Sequence, residues 1–321
     1  MPTSRGAHVN FGFYLPSHGP TARRGPLIEI AQTGERLGFH CMVVDDHVIA
    51  PKVMSSPYPY SVGSDVPWEE DGEHLEQLSE LTFLAAVTET IRLVPSVMIV
   101  PYRNPVLTAK ILATLDVLSE GRLTLGVGVG WMEEEFEALD AQPFADRGAV
   151  TNEYLEAFKE LWTSDDPTYD GKFVKLSNIE FRPKPVQKPH PPIWVGGQSR
   201  PAIRRAVEHG NAWHPVGATP ATPLEPTNLA ADIAYMYSHA ERIARDPSEL
   251  GVAMKAPLYD TGRSTKQARR RFSGEPQQIA EDIRTYTDLG VTDLIFDVRS
   301  PKLSQSLERL AWLSEDVISL V

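Results

Sequence analysis

The chain has 321 residues, 41% of them hydrophobic and 23% charged, and 43 acidic against 31 basic side chains leave a formal charge of −12. That balance is ordinary for a globular enzyme and opposes a nucleic-acid or anionic-membrane partner, because attraction to Lys and Arg dominates both. The one cysteine, Cys41, excludes an internal disulfide and any multi-cysteine metal site, and its apolar surroundings read as a packed core thiol; no metal site is expected. No apolar run reaches the roughly 18 residues of a membrane span and the N-terminus lacks a charged-then-apolar leader, so a soluble cytoplasmic protein is the expectation.

In chain order, Val9 to Pro16 alternates Val9, Phe11, Phe13 and Leu15 on one face, the pattern of a first strand. Gly12 within it signals a close approach by another backbone or a ligand. Leu27, Ile30, Ala31, Gly34 and Leu37 recur at helical spacing, with Gly38 as a C-terminal cap. The second strand, residues 40–47, runs from Cys41-Met42-Val43-Val44 straight into Asp45-Asp46-His47. An apolar run of this kind suits a strand buried on both faces, and ionisable groups at its carboxyl end lie where barrels and parallel sheets bind ligands. Residues 48–74 then break the rhythm with Pro, Ser, Gly and acidic residues and carry Tyr58, Tyr60 and Trp68; a loop of this length reads as a lid over an apolar ligand.

A helix is expected over 75–89 and a third strand over Ile91–Pro101, followed by Asn104-Pro105 as an N-cap with proline in the first turn of a helix reaching about 118. The fourth strand, Leu123–Gly130, places Gly126, Gly128 and Gly130 at every second position, which strips one face so that something flat can lie against it. It is not the dinucleotide fingerprint, which needs Gly-x-Gly-x-x-Gly opening into a helix. Glu133, Glu134 and Glu135 fit a helix first turn, where the dipole favours them. After a helix around Tyr154–Trp162 comes a polar excursion, 164–191, with a hairpin near Asp170-Gly171. The fifth strand is Pro192–Val195. Gly196-Gly197-Gln198-Ser199 leads into the next helix, a junction suited to an anion. A sixth strand covers 212–216, a seventh 250–258 and an eighth 293–298, with helices over 228–245, 275–289 and 304–319. Between the seventh strand and its helix, Arg263, Lys266, Arg269, Arg270 and Arg271 form a basic run, either a solvated charge cluster or a contact for an anionic tail.

Strict strand–helix alternation without a linker predicts one α/β domain over 1–321, a closed (β/α)8 TIM barrel with insertions after the second strand and before the fifth.

With these motifs in place the sequence resembles the bacterial luciferase-like oxidoreductase superfamily, and within it the actinobacterial branch that uses the deazaflavin coenzyme F420. The resemblance spans nearly the whole chain. It rests on Asp46-His47, the run Pro-Ser-Val-Met-Ile-Val-Pro-Tyr-Arg-Asn-Pro at 95–105, Leu115 to Arg122, Gly-Val-Gly-Val-Gly-Trp at 126–131 and Ile193-Trp194-Val195-Gly196-Gly197. It implies a flavin or deazaflavin across the carboxyl ends of the strands and a cis Ser96–Val97 peptide bracing its ring. It further implies Gly128, Val129 and Gly130 against the ring and Gly196, Gly197, Gln198 and Ser199 at the cofactor phosphate. Asp46 would lie beside the cofactor and His47 would serve the reacting proton, a role that suits an imidazole.

Where sugar-phosphate dehydrogenases of this family carry a catalytic glutamate after the Gly-x-Gly, this chain has Trp131, which cannot accept a proton from a hydroxyl. Trp131, with Tyr14, Tyr102, Trp213 and His214, therefore suggests a flat or hydrophobic substrate. The expected activity is hydride transfer between coenzyme F420 and a small organic molecule. The alternatives are an FMN-dependent monooxygenase served by a separate reductase and a non-catalytic flavin-binding barrel. A homodimer is in keeping with the family.

Overall fold

In the computed structural model, which describes residues 9–59, 73–219, 221–257 and 269–321, the apolar runs become short parallel strands. They are β1 (Asn10–Tyr14), β2 (Cys41–Val44), β3 (Arg92–Pro95), β4 (Met98–Ile99) and β5 (Leu125–Gly128), then an antiparallel hairpin of β6 (Tyr169–Asp170) and β7 (Lys175–Leu176), then β8 (Ile193–Gly196), β9 (Ala212–His214), β10 (Gly251–Pro257) and β11 (Asp293–Asp297). Nine of these segments form one sheet in the order β3-β2-β1-β11-β10-β9-β8-β5-β4. β3 and β4 are two halves of one strand interrupted at Ser96–Val97, whose peptide is cis. β4 pairs with β5, and Leu93 of β3 bridges Leu123 ahead of β5, so the sheet closes on itself as an eight-stranded barrel. The third expected strand is thus real but broken in the middle.

Around the barrel lie α1 (Arg24–Arg36), α2 (Gln77–Ala85), α3 (Pro105–Leu118), the short α4 (Glu133–Ala138), α5 (Arg147–Thr163), α6 (Arg200–His209), α7 (Pro226–Arg242), α8 (Pro276–Asp288) and α9 (Leu303–Trp312). Asn104 caps α3 as the Asn-Pro pair predicted, its Oδ1 accepting from the Val106 and Leu107 N–H groups at 3.0 and 3.1 Å. α2 is shorter than expected at both ends. Beyond it, Arg122 donates to the carbonyls of Ala85 and Thr88 at 2.8 and 3.0 Å, which fixes the chain as it enters β3.

Successive side chains of a strand point to opposite faces, and this parity sorts the core. Phe13, Met42, Val44, Leu125, Val127, Ile193, Val195, Trp213, Met254 and Phe296 point outward and build the large core under the helices. Cys41, Val43, Val94, Trp194, Ala212, Ala253 and Ile295 point inward and plug the barrel, with Tyr14 packed on them. Each fully buried large apolar side chain contributes about 1.5–3 kcal/mol of transfer free energy. Cys41 is buried as expected, and a Cβ on Gly12 would meet its Sγ at 2.4 Å, so the close neighbour of Gly12 is this thiol. Among the described residues no helix is long and apolar enough to cross a membrane.

One expectation changes here for the described part of the basic run: Arg269 and Arg271 both bind the buried Asp282 carboxylate, at 2.6 and 2.9 Å, and Arg271 also reaches Glu225, so these two are not free cations. Arg263 and Lys266, like Tyr60 and Trp68 of the long loop, lie outside the described residues.

Candidate functional site

One step beyond the apolar plug, the inward positions nearest the strand ends are Tyr14, Asp45, Ser96, Gly128, Gly196, His214, Lys255 and Asp297, one from each strand, and all line a single cavity of about 350 Å³. That size falls within the range of small-molecule sites. The ring is lopsided. β1, β2, β10 and β11 contribute ionisable groups, whereas β5 and β8 contribute glycines. His47, Tyr58 and Trp131 complete the wall, the Trp131 ring lying 5.3 Å from Tyr58 and 6.1 Å from His47, edge to face in both cases.

His47 is held from behind. Its Nδ1 lies 2.9 Å from Glu135 Oε2, and the same buried carboxylate accepts from the Val48 N–H at 2.7 Å, the Ile49 N–H at 3.3 Å and the Tyr102 hydroxyl at 2.8 Å. Burial opposes the charge on Glu135, but the bonds from His47, Val48 and Tyr102 outweigh it and hold the carboxyl below its usual range. An ionised Glu135 makes Nδ1 the protonated nitrogen, so any proton exchanged with a ligand passes through Nε2. Glu135 was read from sequence only as a helix-end charge. Its signal is its place in the first turn of α4, four residues after the Trp131 that faces the cavity.

Asp46 is more firmly tied than the sequence suggested. Its side chain is buried and accepts from Arg103 at 2.7 and 2.8 Å and from the Ile99 N–H at 2.8 Å. It touches the cavity wall, but its oxygens are committed to anchoring β4 and the turn into α3. Asp45 faces the cavity: its Oδ2 meets Arg299 at 3.2 Å and its Oδ1 lies 3.4 Å from His74. Arg299 also grips Asp297 through Nε and Nη2, at 3.0 and 2.8 Å. Burial works against both carboxylates, but His74 and Arg299 hold Asp45, and Arg299 holds Asp297, below the ordinary range.

Strand parity corrects one pairing and confirms that adjacent residues cannot share a face. His214 points inward, its Nδ1 bonded to the Ala253 carbonyl and its Nε2 accepting from the Ser96 hydroxyl at 2.9 Å; burial, with Lys255 nearby, pushes it down to about 3. Trp213 points outward into the helix-side core, its Nε1 donating to the Gly197 carbonyl at 2.7 Å, and does not border the cavity. Tyr102 likewise stands behind the site, with its hydroxyl on Glu135 and its ring 5.1 Å from Phe136. Tyr14 and Trp131 do line the cavity.

The glycines serve the fold before any ligand. A Cβ on Gly128 would meet Val97 at 2.5 Å, one on Gly196 would meet Val97 at 2.9 Å, and one on Gly126 would meet the Pro95 carbonyl oxygen at 2.1 Å. The stripped face is therefore filled by the interrupted strand, and Val97 presents the wall that the glycines were expected to present. Ser96, Val97, Gly128, Val129, Gly130, Gly196 and Gly197 all border the cavity, whereas Gln198 and Ser199 do not. Gln198 donates to the Val216 carbonyl at 2.5 Å, and the Ser199 hydroxyl caps α6 by accepting from Ala202. Pro201 has no N–H and the Ile203 N–H is taken by the Ser199 carbonyl, so the α6 first turn offers an anion fewer donors than its sequence implied.

The site fits a flat heteroaromatic group. Its β5–β8 side is backbone and Val97 up to Gly130, with Trp131 rising only at the rim, and its other side is rich in hydrogen-bonding groups.

The profile of the Luciferase-like monooxygenase family matches residues 9–273. An uncharacterised Mycobacterium tuberculosis protein is 37% identical over 166 residues, 52% of this chain, and the match spans only 58% of that relative's length. A second uncharacterised protein of that organism is 30% identical over 323 residues, 98% of each chain. The FMNH2-dependent dimethylsulfone monooxygenase of Pseudomonas putida is 35% identical over 189 residues, 58% of this chain and 47% of that one. Among solved structures, the monooxygenase RslO1 from Streptomyces bottropensis has a TM-score of 0.76 at 19% identity, covering 97% of this chain and 99% of that one. An F420-dependent secondary alcohol dehydrogenase, in complex with an F420-acetone adduct, scores 0.75 at 18% identity, covering 98% and 99%. The interrupted third strand, the barrel closure and the match over residues 9–273 agree: the chain belongs to the luciferase-like monooxygenase family.

Proposed function

We propose that the protein is an oxidoreductase that takes coenzyme F420 in the barrel mouth and moves a hydride between it and a small, flat organic substrate. The observation that carries this reading is the cavity-facing His47 on the buried, ionised Glu135, at the rim of a barrel whose β5–β8 wall is flat. The residues that would hold the ring are Ser96, Val97, Gly128, Val129 and Gly130, with Asp46 bracing the strand behind them and Gly196 and Gly197 toward the phosphate. Bound there, a deazaflavin supplies or accepts the hydride.

The chain's own part is proton handling and enclosure. Glu135 fixes the His47 tautomer, with Nδ1–H toward the carboxylate and Nε2 toward the cavity. His47 then donates a proton through Nε2 to the substrate atom that gains electron density, or takes one in the reverse direction. Trp131 and Tyr58 cover the substrate and limit water. His47→Ala should cut turnover by about 10²-fold or more, the usual scale for a general acid or base, and leave cofactor affinity nearly unchanged. Unchanged turnover would reduce His47 to packing.

A second reading is favoured by the 35% identical FMNH2-dependent relative: a monooxygenase using reduced FMN from a separate reductase. Titrating the apoprotein with FMN and with coenzyme F420 while following tryptophan fluorescence separates the two. Micromolar binding of FMN alone would overturn the first reading.

A further inference from the structure

The charged half of the ring exceeds what proton handling by His47 requires. Lys255 lies on β10 with its Nζ donating to the Ser96 carbonyl at 2.6 Å and lying 5.2 Å from the centre of the Tyr14 ring. An ammonium carries three N–H donors, and this is the one hydrogen bond that Nζ makes among the described residues. The neighbouring carboxylates do not absorb the other two: Asp45 turns to Arg299 and His74, and Asp297 to Arg299. A buried donor without an acceptor is costly, yet Nζ borders the cavity.

We infer that Lys255 is a substrate-recognition residue whose ammonium receives a carbonyl or carboxylate oxygen at the cavity floor, with the flat body of the ligand lying toward Trp131 and Tyr58. The inference rests on the reading of this cavity as the substrate site, and it specifies the substrate class: a flat molecule bearing an acceptor oxygen. Trp131 follows β5, three strands round the sheet from β10, so the apolar and polar contacts are offered from different sides of one mouth.

The electrostatics agree with this geometry. Two carboxylates, Asp45 and Asp297, face two cations, Arg299 and Lys255, while Tyr14 is kept neutral by burial and His214 by burial with Lys255 beside it. Burial pushes Lys255 down to about 7; Asp45 and Asp297 pull it up and Arg299 pushes it further down. A ligand carboxylate at Nζ favours the charged form, so at pH 8 its binding draws a proton from solvent, whereas a neutral ketone oxygen draws fewer.

Calorimetry on the cofactor-free protein with benzoate, acetophenone and ethylbenzene tests this without turnover, so a wrong assignment of the reaction leaves the result readable. The wild type should bind benzoate or acetophenone about tenfold or more tightly than ethylbenzene, and Lys255→Met should abolish the difference. Lys255→Gln, which keeps a polar tip, serves if the methionine variant fails to fold and should lose most of it. Benzoate titrated at pH 8 in buffers of different ionisation enthalpy identifies the carboxylate by proton uptake; preference for acetophenone identifies the carbonyl. Equal binding of all three probes, or a preference that survives both substitutions, would overturn the inference.

Discussion

At the residue scale, the site turns on which oxygens are already spent. Glu135 accepts four hydrogen bonds, from His47, Val48, Ile49 and Tyr102, and so sets both the imidazole and the turn that follows it. Glu135→Gln keeps the size and loses the charge that orients His47. We expect kcat to drop about tenfold or more with KM little changed, since the interaction matters most as the imidazole changes protonation. Tyr102→Phe removes one donor and leaves three, so a loss of about 1 kcal/mol in urea-denaturation stability and a smaller loss in kcat are expected. An equal fall in kcat for both variants would mean that the phenol, not the carboxylate charge, does the positioning. Asp46 belongs to a different unit. It holds Arg103 with both oxygens, and Asp46→Asn leaves the guanidinium with Glu76, at 2.9 Å, as its remaining carboxylate, so a loss of about 1.5–3 kcal/mol is expected. Its predicted signature is a lowered melting temperature, unlike His47→Ala, whose signature is kinetic.

At the element scale, the interrupted third strand and the strands beside it fit as a set. Val97 occupies the space that Gly128 and Gly196 leave open. Gly128→Ala should destabilise by about 1–3 kcal/mol through overpacking, and adding Val97→Ala should restore part of that loss. The coupling energy from the double-mutant cycle measures the contact directly, and strict additivity would show that the bulge is held by other means. The same elements show what was legible in the sequence. Eight apolar runs, their helices, the Asn104 cap and the strand ending on Asp46-His47 all announced themselves, because burial on both faces and helix capping leave local signatures. Parity did not, since a run apolar on both faces carries no alternation to say which residue points inward. Hence Trp213 and His214 read alike, although only His214 enters the barrel. Lys255 carries no local signal, because Ser96 and Tyr14, which meet its ammonium, come from strands far away in sequence. Glu135 resembled its two glutamate neighbours for the same reason: what sets it apart is His47, which only the folded barrel brings to it.

At the scale of the whole molecule, the buried charges set opposite limits on stability. Asp45, Asp297, Glu135 and Asp282 are all held below the ordinary carboxylate range, against burial, by Arg299, His74, His47, Arg269 and Arg271 and by backbone N–H groups. A carboxyl whose pKa falls on folding contributes stability that is fully present above its unfolded value and is lost as pH drops through its folded value. The barrel should therefore weaken progressively below about pH 4. Glu80, in α2, does the reverse. It is 4% exposed, and burial, with the Asp45 charge nearby, pushes it from 4.5 up to about 8 despite Ser17, His74 and Arg299. The native state keeps a proton that the unfolded chain releases, so this contribution is complete below 4.5 and disappears as pH rises toward 8. The amount at stake is on the order of 5 kcal/mol as an upper bound. Glu80→Gln fixes the neutral form at every pH. At pH 5 the variant and the wild type should unfold at nearly the same urea concentration, and at pH 8.5 the variant should be the more stable by a few kcal/mol. Parallel pH profiles would place the proton elsewhere, and a variant that is weaker at both values would mean that this buried position accepts a carboxyl but not an amide.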